Sequence, residues 1–289
     1  MLHVHEDDYD QEGVYPAALA VDRRTGKVEA TVYITDVPKG KKTIPRTFEA
    51  GRDSAIVACP QDRECGLIVG PSGVGKSTWM AEYGYYYKLR NPKNMVYIFT
   101  PKTADPAYDR LRQSKRVEII GWRPFMKGAT MNEVILGAGD ESDTGYSIIP
   151  DVSKLTSDTL KNSLLIFDDI DMIPDAYATK ALKELRARMM FTGRHDNISV
   201  ITSNHQFRDY SGRLNAPVLS EANFVVIFPG NGNEPAIQSL LQEQFQVSNS
   251  VAKSVTETKN RSVYIRRSSR ASIPFRYAVT PRYIQLLLT

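Results

Sequence analysis

Cysteine is almost absent from this chain: Cys59 and Cys65 are the only two in 289 residues. They are spaced C-x5-C, and no second pair exists to complete a zinc site. Both are therefore expected to be structural thiols. Histidine is scarce as well. His3, His5, His195 and His205 share no metal-ligand spacing. No apolar run approaches the roughly 18 residues that a membrane span needs. The first residues, MLHVHEDDYDQE, are acidic, whereas a secretory leader has a basic start and an apolar block. The expectation is a protein without a membrane span, kept in a reducing compartment. At 42% hydrophobic and 24% charged residues, such a chain buries a large core without disulfides or metals.

Acidic residues are missing from one stretch. Between Lys259 and Thr289 there is no Asp or Glu, while Lys259, Arg261, Arg266, Arg267, Arg270, Arg276 and Arg282 are all basic. The whole chain has a net charge of +4, so the remainder is net negative. A basic patch on an acidic body suggests a polyanionic partner. A solvated basic tail has the same composition.

What is present changes character along the chain. ALAVDRRTGKVEATVYIT has two alternating runs around a turn containing Thr25 and Gly26, which predicts a β-hairpin. A loop rich in Pro, Gly and Lys follows, DVPKGKKTIPR. Beyond it, short apolar runs alternate with helical patterns: CGLIVG, MVYIFT, VEIIG, LLIFDD, ISVITSN and FVVIFPG. These read as strands buried on both faces of a parallel sheet, with helices at Ser77–Arg90 and Asp175–Phe191 between them. GAGDESDTG, residues 137–145, reads as an exposed loop. The predicted architecture is an α/β three-layer sandwich with a mainly parallel central sheet and a small N-terminal β region. The expected divisions are 1–54 for the β region, 55–258 for the α/β domain and 259–289 for the basic segment that completes it.

Within CGLIVGPSGVGKSTWM stand Gly70, Gly75, Lys76 and Ser77, in the pattern G-x-x-x-x-G-K-S. An apolar strand precedes the motif and a helix follows it, the context a phosphate loop requires. Gly70, Ser72, Gly73 and Gly75 would let backbone N–H groups turn inward around a β-phosphate. Lys76 would reach the β- and γ-phosphates of ATP as a point charge. Ser77 would supply an oxygen to Mg²⁺, and Thr78 follows it in the first helical turn, whose positive end faces the phosphates.

LLIFDDID supplies a second half. Asp168 emerges at the C-terminal end of an apolar strand, where ligands of such sheets bind. It is placed to hold Mg²⁺, directly or through water. Asp169 stands where many ATP-hydrolysing phosphate-loop proteins have a Glu that polarises the attacking water. A general base of this kind contributes roughly 10²–10⁴ in rate. A cap, or a group hydrogen-bonded behind the metal ligands, would also suit Asp169. Asp171 reads as a loop or cap residue.

After Asp168 a helix runs through DAYATKALKELRARMMF, with Ala178, Leu182, Leu185 and Met189 on one face and Gly193 at its stop. NISVITSN then forms a strand ending in Asn204, whose amide could read the γ-phosphate or the attacking water. Arg194 precedes the same strand at its other end. A strand of 8–10 residues spans about 25–30 Å at 3.3 Å per residue. Arg194 is therefore not expected to reach its own subunit's phosphate; if it touches ATP at all it would touch a neighbour's, which is the arginine-finger arrangement. His195 either orients Arg194 or caps the helix, and the cap is the preferred reading.

GPSGVGKST, LLIFDDID, GRHDNISVITSN and SEANFVVIFPG, in this order, resemble the poxvirus-type, FtsK/HerA-like DNA-packaging ATPases of large double-stranded DNA viruses. The resemblance runs from about Ala55 to the C-terminus. It implies the additional-strand, catalytic-carboxylate type of phosphate-loop NTPase, with the Asn204 strand between the strands of the phosphate loop and Asp168. It implies an ATP- and Mg²⁺-dependent hydrolase that threads duplex DNA into a preformed capsid. The partners would be double-stranded DNA, a pentameric or hexameric homo-oligomeric ring and a capsid vertex or portal. The location would be assembling virions in the cytoplasm or nucleus of a host cell, or the virion itself. By motif match Arg194 is the trans finger, with Arg188 and Arg186 in reserve. About 60 residues follow FVVIFPG, too few for a further nuclease domain of ordinary size. RSVYIRRSSRASIPFRY interleaves arginines with aromatics, which makes Arg266, Arg267 and Arg270 candidate contacts to the DNA backbone. A related translocase or helicase of replication or DNA transfer would share this chemistry. A nucleotide-regulated DNA-binding scaffold that hydrolyses little also stays open, because Asp169 is short.

Overall fold

The structure, a computed structural model, describes residues 2–5, 14–35, 47–61, 63–127, 155–205, 216–230, 234–267 and 277–287. The predicted loop at 137–145 and Arg270 lie outside the described residues. The chain forms two compact units. One comprises Met1–Gln61, Val69–Val74 and Asn223–Thr289; the other comprises Asp62–Ile68 and Gly75–Ala222. The expected boundaries at 54 and 258 do not coincide with this division.

The first unit begins with β1 (Leu2–His5), β2 (Val14–Asp22), β3 (Val28–Thr35), β4 (Thr47–Glu49) and β5 (Ser54–Ala58). Four of these make an antiparallel sheet in the order β1-β3-β2-β5. The predicted hairpin is β2 and β3. Its turn is fixed by the Asp22 carboxylate, which accepts from the backbone N–H of Thr25 at 2.6 Å and of Arg24 at 3.1 Å. Gly26 closes the turn at φ 67°, a left-handed backbone that suits glycine. Ala55 to Ala58 pair with β2, so they belong to this sheet rather than to the α/β domain assigned to them above.

The second unit holds β6 (Cys65–Val69), α1 (Lys76–Arg90), β7 (Met95–Phe99), α2 (Asp109–Arg112), β8 (Val117–Ile120), β9 (Ser163–Phe167), α3 (Ala176–Thr192), β10 (Ser199–Asn204) and α4 (Ala216–Glu221). Its strands lie in the order β6-β10-β9-β7-β8. The pairs β10–β9, β9–β7 and β7–β8 are parallel. Every residue of β6, β9 and β10 is buried, as a sheet covered on both faces requires. The right-handed crossover rule then assigns the helices to faces. The connections through α1 and α2 step one way along the sheet, and the connection through α3 steps back. So α1 and α2 cover one face and α3 the other, which makes three layers. Gly84 of α1 shows the closeness of this packing, since a Cβ there would lie 2.7 Å from Leu111 of α2 and 3.3 Å from Ile166 of β9.

Local chemistry sets the helix ends. Asp175 caps α3 by accepting from the Ala178 N–H at 2.7 Å. Gly193 ends it, but at φ −66° rather than in the left-handed form. Glycine is needed there for space. A Cβ would meet the Met189 carbonyl at 2.4 Å and the Ile198 side chain at 2.9 Å.

The remainder of the first unit corrects one expectation. β11 (Phe224–Ile227), expected in a parallel sheet, pairs antiparallel with β12 (Val263–Arg266). β13 (Tyr277–Val279), β14 (Tyr283–Leu286) and β4 continue the antiparallel run. Two helices, α5 (Glu234–Phe245) and α6 (Asn249–Thr256), fall between β11 and β12. The expectation missed this because an all-apolar tetrapeptide states that a strand is buried, not which way its partner runs. Cys59 and Cys65 are buried and form no disulfide. Among the described residues, no helix is long and apolar enough to cross a membrane.

Candidate active site

The phosphate loop leaves β6 at Gly70 and enters α1 at Lys76. Gly73 and Gly75 sit at φ 80° and 106°, which non-glycine residues adopt at a cost. Gly70 is needed for space, because a Cβ would lie 2.9 Å from Val74 and 3.0 Å from Phe228. Ser72 and Gly73 are exposed, as is Thr78 one turn later. Arg261, one of the basic C-terminal residues, donates from Nε to the Val74 carbonyl at 3.2 Å. That contact was not anticipated.

Lys76 and Ser77 open α1, and Asp168 and Asp169 follow β9. The fold brings these four together. Ser77 Oγ donates to Asp168 Oδ2 at 2.7 Å. Lys76, 4% exposed, has its Nζ 3.7 Å from Asp169 Oδ1. Asp168 is 2% exposed. Its backbone N–H donates to the Phe99 carbonyl at 2.8 Å, which anchors the strand end to β7. Asp169 turns away at φ 48°, a left-handed backbone that Asp tolerates better than most residues. That turn gives adjacent carboxylates separate directions, one toward Ser77 and one toward Lys76.

Burial dominates the electrostatics. It raises the carboxyl of Asp168 above the ordinary range, and the Asp169 charge adds to this. Hydrogen bonds from Ser77, Tyr108 and Ser203 oppose the rise. Burial likewise lowers the ammonium of Lys76, while Asp169 and Asp168 hold it up. Lys76 thus pairs with Asp169, which is 23% exposed, within reach of the charge on buried Asp168.

Three further residues complete the cluster. The Tyr108 hydroxyl, 0% exposed, donates to Asp168 Oδ2 at 2.9 Å. Ser203 Oγ lies 2.9 Å from Asp168 Oδ1 and accepts the Asp169 N–H at 2.8 Å. His205 has Nδ1 3.5 Å from Lys76 Nζ and Nε2 3.3 Å from Asp169 Oδ1. Tyr108 and His205 belong to no motif, and Ser203, inside GRHDNISVITSN, was given no role. Ser203 and His205 flank Asn204, so the signal for them was adjacency to a named residue; Tyr108 had none.

Asn204 ends β10, which lies between β6 and β9 as the resemblance implied. It is 6% exposed, and among the described residues its Oδ1 has no hydrogen-bond partner. A buried amide oxygen left this way is costly unless a ligand or water completes it. Arg194 and His195 lie exposed in the turn before β10. The strand has six residues, about 20 Å at 3.3 Å per residue, so it is shorter than expected. That is still far longer than an arginine side chain.

Two expectations fail on burial. Arg186 is 6% exposed and donates to Thr202 Oγ1 at 3.1 Å, so it is a core residue, not a finger held in reserve. Arg266 is 1% exposed, with Nη1 3.3 Å from the Tyr264 hydroxyl. It cannot present its charge to a DNA backbone from there. Arg267 is half-buried, 4.8 Å over the Phe245 ring. Arg188 is exposed but donates to the Leu155 carbonyl at 2.7 Å. Asp171, as expected, lies outside the cluster, paired with Lys183 at 2.6 Å.

No family model matches the chain. Protein V3 of the Sputnik virophage is 27% identical over 238 residues, covering 79% of this chain and 85% of its own length. Among solved structures, the genome packaging NTPase B204 of Sulfolobus turreted icosahedral virus 2, bound to AMPPCP, is 15% identical. The match covers 79% of this chain and 99% of that one, at a TM-score of 0.42. The pCW3 conjugation coupling protein TcpA with ATPγS is 11% identical and covers 93% and 76%, also at 0.42. Likeness at that level does not extend to function.

Proposed function

We propose that this chain is an ATP-hydrolysing motor that drives double-stranded DNA into a viral capsid. The observation that carries the reading is the Lys76–Ser77–Asp168–Asp169 cluster beside the buried amide of Asn204. A phosphate-loop lysine, a hydroxyl, a metal-holding carboxylate, a second carboxylate and an amide are the parts that ATP hydrolysis requires. The motif order supports the packaging class, and a relative in a virophage suits a virus-encoded protein.

The donors fit the nucleotide and its cation. Ser77 Oγ and the Asp168 carboxylate, 2.7 Å apart, are the hard oxygen ligands that Mg²⁺ prefers. When bound, Mg²⁺ neutralises charge on the phosphate oxygens. Lys76 transfers its pairing from Asp169 to the β- and γ-phosphates. Asp169, released, orients water and accepts its proton, with Asn204 Oδ1 holding that water or Nδ2 reading the γ-phosphate. Arg194 serves the neighbouring subunit of a pentameric or hexameric ring. Lys259, Arg261 and Arg282 are exposed and remain for DNA once Arg266 is removed from that role. The capsid vertex or portal and the assembling virion are the expected partner and place.

ATP turnover measured with and without duplex DNA tests the reading. Stimulation by duplexes of any sequence, falling as salt rises, is expected. Turnover indifferent to DNA would leave a nucleotide hydrolase and remove the motor.

A further inference from the structure

Asp168 is held by more than its motif. Its Oδ2 accepts two donors, Ser77 Oγ at 2.7 Å and the Tyr108 hydroxyl at 2.9 Å. Its Oδ1 faces Ser203 Oγ at 2.9 Å. Ser77 cannot be the permanent support, because its oxygen must turn to the cation when one is present. A carboxylate left with a free rotor would then swing.

The other two donors come from rigid positions. Tyr108 ends a 3-10 turn at Pro106–Tyr108, capped by Asp105, whose carboxylate accepts the Ala107 N–H at 2.9 Å. The ring is wholly buried. Ser203 sits within β10, wholly buried, directly after the residues paired with β9. Its hydroxyl has one hydrogen and two carboxylates in reach, Asp168 Oδ1 at 2.9 Å and Asp169 Oδ1 at 3.2 Å. The shorter contact assigns that hydrogen to Asp168, while Asp169 donates its own N–H to the same Ser203 oxygen.

We propose that Tyr108 and Ser203 are positioning residues that clamp Asp168 for its cation, the phenol on Oδ2 and the serine on Oδ1. The clamp rests on the nucleotide-hydrolase reading above. Partners behind a metal ligand fix its orientation, and removing one typically costs 10–100-fold in metal affinity or activity. Tyr108→Phe keeps the ring and deletes only the donor. Ser203→Ala removes the donor on the other oxygen, and with it the acceptor of the Asp169 N–H.

The test is Mn²⁺ binding to the full chain in the presence of ADP, read by the loss of the free-ion electron paramagnetic resonance signal. ADP affinity in EDTA and the melting temperature without metal are recorded alongside. Each variant is expected to weaken Mn²⁺ binding roughly 10–100-fold, with ADP affinity in EDTA unchanged. A merely structural tyrosine or serine would lower melting and leave Mn²⁺ affinity alone. If Tyr108→Phe does not fold, Ser203→Ala decides. A folded variant that binds Mn²⁺ as tightly as the wild type overturns the clamp. Asp168→Ala is the control. If it too retains wild-type Mn²⁺ affinity, the metal assignment itself falls, and the clamp with it.

Discussion

At its C-terminal end β10 carries Ser203 and Asn204, both buried, whereas the turn before its N-terminal end exposes Arg194 and His195. The first end is dense with polar contacts made inside one subunit. Ser203 touches both aspartates, and Asn204 holds an amide oxygen with no partner among the described residues. The second end offers a cation to solvent. The six-residue strand that ends in Ser203 and Asn204 holds them apart from Arg194 and His195, so one element cannot bring both to the same phosphate. The difference teaches that proximity in sequence and proximity to chemistry diverge along a strand. A buried polar group costs free energy unless a ligand completes it, while an exposed guanidinium costs nothing until a neighbour docks.

The largest expected effect is at the buried end. Lys76→Ala removes the charge proposed to meet the phosphates, and ATP turnover should fall to background. Retained hydrolysis would sink the phosphate-loop assignment. At the exposed end, if Arg194 serves a neighbouring subunit as proposed, Arg194→Ala should lower turnover by about 10³–10⁵, the usual contribution of an arginine finger. Doping the variant into wild-type rings separates trans from cis action: activity should drop more steeply than the fraction added. A strictly proportional loss would make Arg194 a residue of its own subunit. The smallest effect concerns fold alone. Gly193→Ala forces a Cβ against Met189 and Ile198 and should cost about 1–3 kcal/mol of stability, as overpacking does. Chemical denaturation measures it, and nucleotide affinity of the folded fraction should not move. A change in that affinity would show that the two ends are coupled.

The phosphate loop, the aspartate pair and the hairpin were legible because their chemistry is local: a strand, a turn with glycines at positive φ and a helix start lie within a dozen residues or so. The place of the strand that ends in Asn204 was legible through motif order. Tyr108 and the Lys76–His205 contact were not, because they join residues 60 and 129 positions apart. Arg266 misled for a related reason. Alternation along RSVYIRR states that neighbours point to opposite faces, but all four residues of β12 are buried. Neither face was in water, so the arginine had no outward side to occupy.

By itself, then, the sequence determined which groups could do chemistry here: a lysine and a hydroxyl behind a glycine loop, two carboxylates after a buried strand, an amide at the end of another. Tertiary structure alone decided which of them meet, which arginines face solvent and which donors hold Asp168. The physical reason is range. Backbone preferences and caps act over a few residues, whereas burial and hydrogen-bond satisfaction depend on whatever the fold packs alongside.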